Sequence, residues 1–183
     1  MAKTISKYFL ALVPEGPLQE QATALKLQLK EKFNIKYALK SPAHVTIKMP
    51  FHWNEAKEGE LAQRLETFFE AFGPIDLEFS GFDRFGKRVL FIAPKANPAL
   101  STLQSALSGF CRTTLKLEEE LSDKAFHPHM TIAFKDTKPQ RFDDYWSYVK
   151  AQPFQAHYQF KDVALLKKME NKWEVMRRMG LGG

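Results

Sequence analysis

Two stretches decide how this chain reads: HVTIKMPF at residues 44–51 and HPHMTIAF at residues 127–134. Each holds His-x-Thr followed by an apolar residue, His44-Val45-Thr46-Ile47 and His129-Met130-Thr131-Ile132. With only five histidines in 183 residues, chance supplies roughly 0.25 His-x-Thr matches. Two matches, each in an apolar strand setting, point to a repeat. Side chains alternate across a strand. His44 and Thr46 therefore share a face, with Lys48 next along it. His129 and Thr131 share another, with Ala133 next. Val45, Ile47, Met130 and Ile132 point the opposite way, toward helices.

The surroundings of the two stretches repeat as well. Ile5 to Val13 reads as a strand, broken by Pro14-Glu15-Gly16-Pro17. Leu18, Ala22, Leu25 and Leu29 recur at helical spacing before the first motif. Leu61, Leu65, Phe68 and Phe72 form a second helical stripe, and Ile75 to Phe82 a strand. Residues 83–87 are expected to turn, with Gly86 at the tip. Arg88 to Ala93 then reads as a strand, and Asn97-Pro98 starts a helix striped by Leu100, Leu103, Leu107 and Phe110. After the second motif, Phe142, Tyr145, Trp146 and Val149 suit a helix, and Pro153 opens a strand toward Phe160. Val163–Met169 and Lys172–Met179 form a closing hairpin around Glu170-Asn171. The order strand, helix, motif strand, helix, strand thus occurs twice, over approximate halves 1–84 and 85–183. The expected fold is one α+β domain over 1–183. It has two pseudo-symmetric lobes, each an antiparallel sheet with helices on its outer face, and a cleft between them.

Composition narrows the class. Hydrophobic content is 44% and charged content 26%, with sixteen Phe, which is enough apolar material for a core. A net charge of +6 favours anionic partners such as nucleic acid. The single cysteine, Cys111, excludes an internal disulfide and any Cys-rich zinc site. No run suits a membrane span or a signal peptide, so a cytoplasmic monomer without membrane attachment is expected.

A twofold relation between the halves would bring both motif strands to one cleft, with two imidazoles and two hydroxyls around a central point. That set suits a phosphodiester. One imidazole takes a proton from the attacking hydroxyl while the other gives one to the leaving oxygen. The threonine hydroxyls donate to the non-bridging oxygens. The scheme requires neither metal nor cofactor.

Both His-x-Thr-apolar motifs, the repeat order and the YFLALVPEGP opening at residues 8–17 resemble the 2H phosphoesterases, in particular their 2′-5′ RNA ligase and cyclic phosphodiesterase branch. The resemblance covers essentially the whole chain. It implies a two-lobed α+β fold and action on 2′,3′-cyclic phosphate or 2′-5′ linked ends of RNA or nucleotides. It implies His44 and His129 as the catalytic pair and Thr46 and Thr131 as phosphate ligands. Relatives often carry a basic residue five positions after the second motif histidine, where this chain has Phe134.

Further residues are candidates for substrate contact. Lys48 supplies a charge on the motif face, and Lys36 and Lys40 precede it. His127 lies two residues before His129. Phe51 and Phe134 follow the motif strands, and Tyr8 flanks the first, so each is a candidate to stack a base. His129 is assigned the base role in hydrolysis and His44 the acid role toward the 2′-oxygen. Two rival readings remain: a non-catalytic RNA-binding module on the same fold, and a metal-dependent hydrolase using His127 and His129.

Overall fold

The computed structural model describes residues 2–183. Eight strands form one antiparallel sheet: β1 (Ile5–Leu12), β2 (Val45–Asn54), β3 (Ile75–Phe85), β4 (Val89–Pro94), β5 (Met130–Ala133), β6 (Gln155–Phe160), β7 (Asp162–Met169) and β8 (Lys172–Gly180). Four helices of two turns or more, α1 (Pro17–Phe33), α2 (Glu58–Phe69), α3 (Pro98–Thr113) and α5 (Phe142–Lys150), accompany it, with a short α4 (Leu121–Lys124). The expected doubled order of elements is present. Asn97 caps α3 by accepting from the Leu100 N–H.

The strand order is β6-β3-β4-β5-β2-β1-β7-β8. It reads alike from the centre outward: a motif strand, then the strand that opens its half, then two more. The two half-sheets join where β2 meets β5 at one residue pair, Val45 opposite Met130. The lobes are therefore two halves of a single sheet, joined at a seam. The halves of the sheet also interleave the chain. β3, from the first half of the sequence, pairs β4 and β6. β7, from the second half, pairs β1.

All four longer helices cover one face. Leu18, Leu25 and Leu29 of α1, Leu61 and Phe69 of α2, Leu103 and Leu107 of α3, and Phe142 and Tyr145 of α5 share a core with Val45, Ile47, Met130 and Ile132. Alternation along β1 divides its residues. Tyr8, Leu10 and Leu12 enter that core. Phe9, Ala11 and Val13 join Ala164 and Leu166 in a smaller cluster on the other face. Burial on both faces explains why β1 reads as a near-continuous apolar run.

Two strands differ from the sequence expectation. β3 continues through Phe85, because Asp83, Arg84 and Phe85 pair with Phe91, Leu90 and Val89. The turn becomes Gly86-Lys87-Arg88, closed by the Arg88 N–H donating to the Phe85 carbonyl at 3.2 Å, and Gly86 adopts φ 54°, a left-handed conformation that glycine takes without strain. β2 runs on through Pro50 to Asn54. Beyond Val45 it is paired to β1 alone, so the missing N–H of Pro50 falls on an edge.

Candidate active site

The seam positions the motif residues. Antiparallel pairing of Val45 with Met130 sets His44 beside Thr131 and Thr46 beside His129. Val45 and Met130 are fully buried under the helices, so their neighbours face the opposite side. All four motif residues line one cleft there, with a volume of about 390 Å³. The sequence-predicted set is thus brought together.

Both imidazoles are held in the same way. His44 Nδ1 lies 2.7 Å from the Pro42 carbonyl, and His129 Nδ1 lies 2.7 Å from the His127 carbonyl. A carbonyl only accepts, so each ring carries its proton on Nδ1 and leaves the Nε2 lone pair free. The packing is similar too. Phe9 of β1 lies 5.0 Å from the His44 ring, and Phe91 of β4 lies 5.4 Å from that of His129. Phe85 adds an edge-on contact to His129 at 4.9 Å.

Burial disfavours charge on both rings. It pushes the His44 pKa down from 6.5 to about 4, assisted by the positive charge of Lys26 and by His129, while the Pro42 bond opposes the shift. The His129 pKa is also lowered, chiefly by burial, while the bond to the His127 carbonyl opposes the shift and the His127 side chain adds slightly to it. The unfolded chain protonates His44 below about 6.5, and the folded chain only near about 4. Between these values the unfolded state holds more protons, so folding stability falls as pH drops. A Tm series from pH 7 to 4 is expected to decline through this window, with a shallower slope in His44→Gln. An unchanged slope in that variant counts against the assignment.

Of the other candidates, Phe134 and His127 lie at the site. Phe134 lines the cleft and meets Tyr37 edge to face at 5.1 Å. His127 lines an adjoining cavity of about 240 Å³ that also borders Thr46 and His129. Lys40 reaches the cleft. Lys36 is exposed on the surface.

Lys48, Phe51 and Tyr8 do not reach the cleft. The β1–β2 register shifts twice between Tyr8 and Ala11, and these irregularities break the alternation of β2. Ile47 and Lys48 are both buried, and Met49 takes the place at the cleft. Lys48 is 2% exposed and pairs with Asp123 at 2.5 Å, donating also to the Glu118 carbonyl at 3.0 Å. Tyr8 is buried on the core face, donates its hydroxyl to Glu58, and stacks on the buried Phe51 with ring centroids 6.1 Å apart. The two aromatic candidates are core residues because β1 turns Phe9, rather than Tyr8, to the cleft.

The cleft also contains groups that sequence reasoning missed. Lys135 directly follows Phe134 and has φ 67°. This left-handed residue turns the chain at the end of β5, and Lys135 Nζ donates to the Tyr37 hydroxyl at 3.1 Å. The Tyr37 pKa is lowered by that bond. A basic residue is therefore present, one position later than the family spacing. Lys7 and Trp173 complete the walls. Among the described residues, no group of three or more His, Cys, Asp or Glu is placed to hold a metal ion. Nor is any helix among them long and apolar enough to cross a membrane.

The strand seam thus sets the paired His-x-Thr motifs over one cleft. The chain belongs to the 2′-5′ RNA ligase superfamily, whose family model matches residues 14–172. It is 28% identical over 185 residues, 97% of each chain, to a Geobacillus thermodenitrificans protein named "Putative phosphoesterase". A Halalkalibacterium halodurans protein of the same description is 27% identical over 178 residues, covering 96% of this chain and 97% of that one. The fold matches that of E. coli LigT in its apo form, with a TM-score of 0.69 at 14% identity, covering 98% of this chain and 99% of LigT. TT0787 of Thermus thermophilus gives a TM-score of 0.64 at 17% identity, covering 97% of this chain and 98% of that one. This is an α+β enzyme of the 2H phosphoesterase class.

Proposed function

We propose that the chain is a metal-independent cyclic phosphodiesterase with 2′-5′ RNA ligase-like chemistry. Its substrates are 2′,3′-cyclic phosphates or 2′-5′ linkages at RNA or nucleotide ends. The observation that carries this reading is the shared Nδ1 anchoring of the two cleft imidazoles. It leaves both Nε2 atoms available on one cleft, where an in-line displacement at phosphorus uses one bare, as the base, and the other protonated, as the acid. In hydrolysis, one neutral imidazole takes a proton from water as its oxygen bonds to phosphorus. The P–O3′ bond breaks, and the leaving 3′-oxygen receives the proton held by the other imidazole. Thr46 and Thr131 donate to the non-bridging oxygens. In ligation a ribose hydroxyl takes the place of water.

Burial bears harder on His44, which favours it as the resident base and His129 as the acid. This reverses the roles assigned from sequence, and the oxygen protonated on leaving is the 3′-oxygen rather than the 2′-oxygen, as a 2′-phosphate product requires. The bound phosphate supplies the negative charge that lets the acid hold its proton in a buried site. Nucleotide binding by this fold has precedent in LigT, whose structures include complexes with 3′-AMP and ATP.

The test is turnover of a 2′,3′-cyclic nucleotide in EDTA, with the 2′-phosphate followed by ³¹P NMR. Tight, salt-sensitive RNA binding without turnover would favour the non-catalytic module instead. Loss of turnover on chelation would favour the metal-dependent reading. Lys135→Ala is expected to raise KM about tenfold, as loss of one charged phosphate contact does, with kcat less affected. An unchanged KM would remove Lys135 from the phosphate site.

A further inference from the structure

Helix α1 carries two polar residues, Gln19 and Lys26, on the side that packs inward. They are seven residues and about two turns apart, so they share one face. Both reach the segment that leads into His44. The Gln19 amide brackets Ala43, accepting from its N–H at 2.8 Å and donating to its carbonyl at 3.0 Å. Lys26 Nζ donates to the carbonyls of Ala38 and Ser41, each at 2.9 Å. Pro42 lies between Ser41 and Ala43, and its carbonyl meets His44 Nδ1. The group that sets the His44 tautomer is therefore clamped on both sides from α1.

Lys26 is 2% exposed, and among the described residues it has no ion-pair partner. The charged groups that share its cavity are Glu15, Glu20, Lys40, Lys172 and Arg178, and Arg178 already engages Glu15. Burying an ammonium without a counter-ion is costly, and an apolar residue would suit this inner face of α1 better. Burial lowers the Lys26 pKa only to about 8, so the charge persists at neutral pH.

The titratable groups facing His44 are Lys26 on α1, Tyr37 and Lys40 in the turn that follows α1, Lys7 on β1, and His129 and Lys135 across the seam. None is a carboxylate, and the two carboxylates that share the Lys26 cavity, Glu15 and Glu20, form no ion pair with it. We propose that Lys26 is a positioning residue for the reaction above. It fixes the carbonyl that sets the tautomer of His44, and its unneutralised charge opposes a second charge on that imidazole. The proposal rests on His44 being a reacting group.

The test is a ¹H–¹⁵N NMR titration of the imidazoles, which needs no turnover. In the unmodified protein, His44 is expected as the Nδ1–H tautomer, titrating well below an ordinary histidine. Lys26→Met is expected to raise that titration point by about half to one pH unit, and the acidic limb of kcat/KM is expected to move up in step. Lys26→Arg, which keeps the charge, should leave both near their original positions. A titration point unmoved in Lys26→Met, with activity lowered equally at every pH, would mean a structural role only and overturn the proposal. If Lys26→Met does not fold, the unmodified protein still decides. An Nε2–H tautomer or an ordinary titration point at His44 overturns the proposal there. A shift in Lys26→Met in a protein that turns over no phosphodiester would sink the functional reading and the catalytic role of Lys26 with it, whereas turnover with an unmoved titration point would sink the Lys26 proposal alone.

Discussion

Replacing His44 or His129 with alanine lowers turnover of a 2′,3′-cyclic nucleotide by about 10²–10⁴-fold, the usual worth of a positioned acid or base. The loss falls on kcat. Cleft walls such as Tyr37, Phe134 and Lys135 remain, so substrate binding is largely retained. The double variant is expected to be little worse than either single one, because a pair that moves one proton in and one out fails when either member is missing. Both rings line the cleft rather than the helix-covered core, and each makes one backbone bond, so the far-ultraviolet spectrum and Tm should change little. Full activity in either variant would sink the two-histidine mechanism. A matching loss of folded protein would make the effect structural.

The second large effect concerns stability. Lys48 and Asp123 form an ion pair with both side chains 2% exposed. Asp123 also accepts from the backbone N–H groups of Met49 and Glu120, and its own carbonyl accepts from Gln104 on α3. The pair ties β2 to the segment that leads into the second motif. Removing one partner strands the other in a site that water does not reach, which costs about 3–5 kcal/mol. Asp123→Ala is expected to be the worse change, because it orphans the lysine and two N–H donors together. Lys48→Met leaves the carboxylate with its two N–H partners and should cost less. Urea unfolding reads this order directly, and equal stability of Lys48→Met and the unmodified protein would show the pair to be dispensable. The variants that still fold should keep much of their turnover, which separates this role from a catalytic one.

The legible parts of the sequence are those governed by a regular period. His44, Thr46, His129 and Thr131 follow from two-residue alternation, and the helices follow from their apolar stripes. The misread parts each depend on a break in a period. Strict alternation puts Lys48 at the cleft, and the register shifts opposite Leu10 turn it into the core. Lys135 escapes a sequence reading because its left-handed conformation at the end of β5 has no signature in the residue type. Phe134 is legible without its partner Tyr37, since nothing local links residues ninety-seven apart. Tyr8 and Phe9 are adjacent aromatics on a strand buried on both faces, where pattern alone does not say which one faces the substrate.

The interleaving of the half-sheets bears on how such a site is inherited. A chain cut between residues 84 and 85 would separate β3 from β4 and β1 from β7. Each fragment would expose the long edge on which its missing neighbour belongs, and such edges aggregate. Neither histidine can be carried off on an autonomous module. The exchange of outer strands binds the two copies of the motif into a single heritable unit.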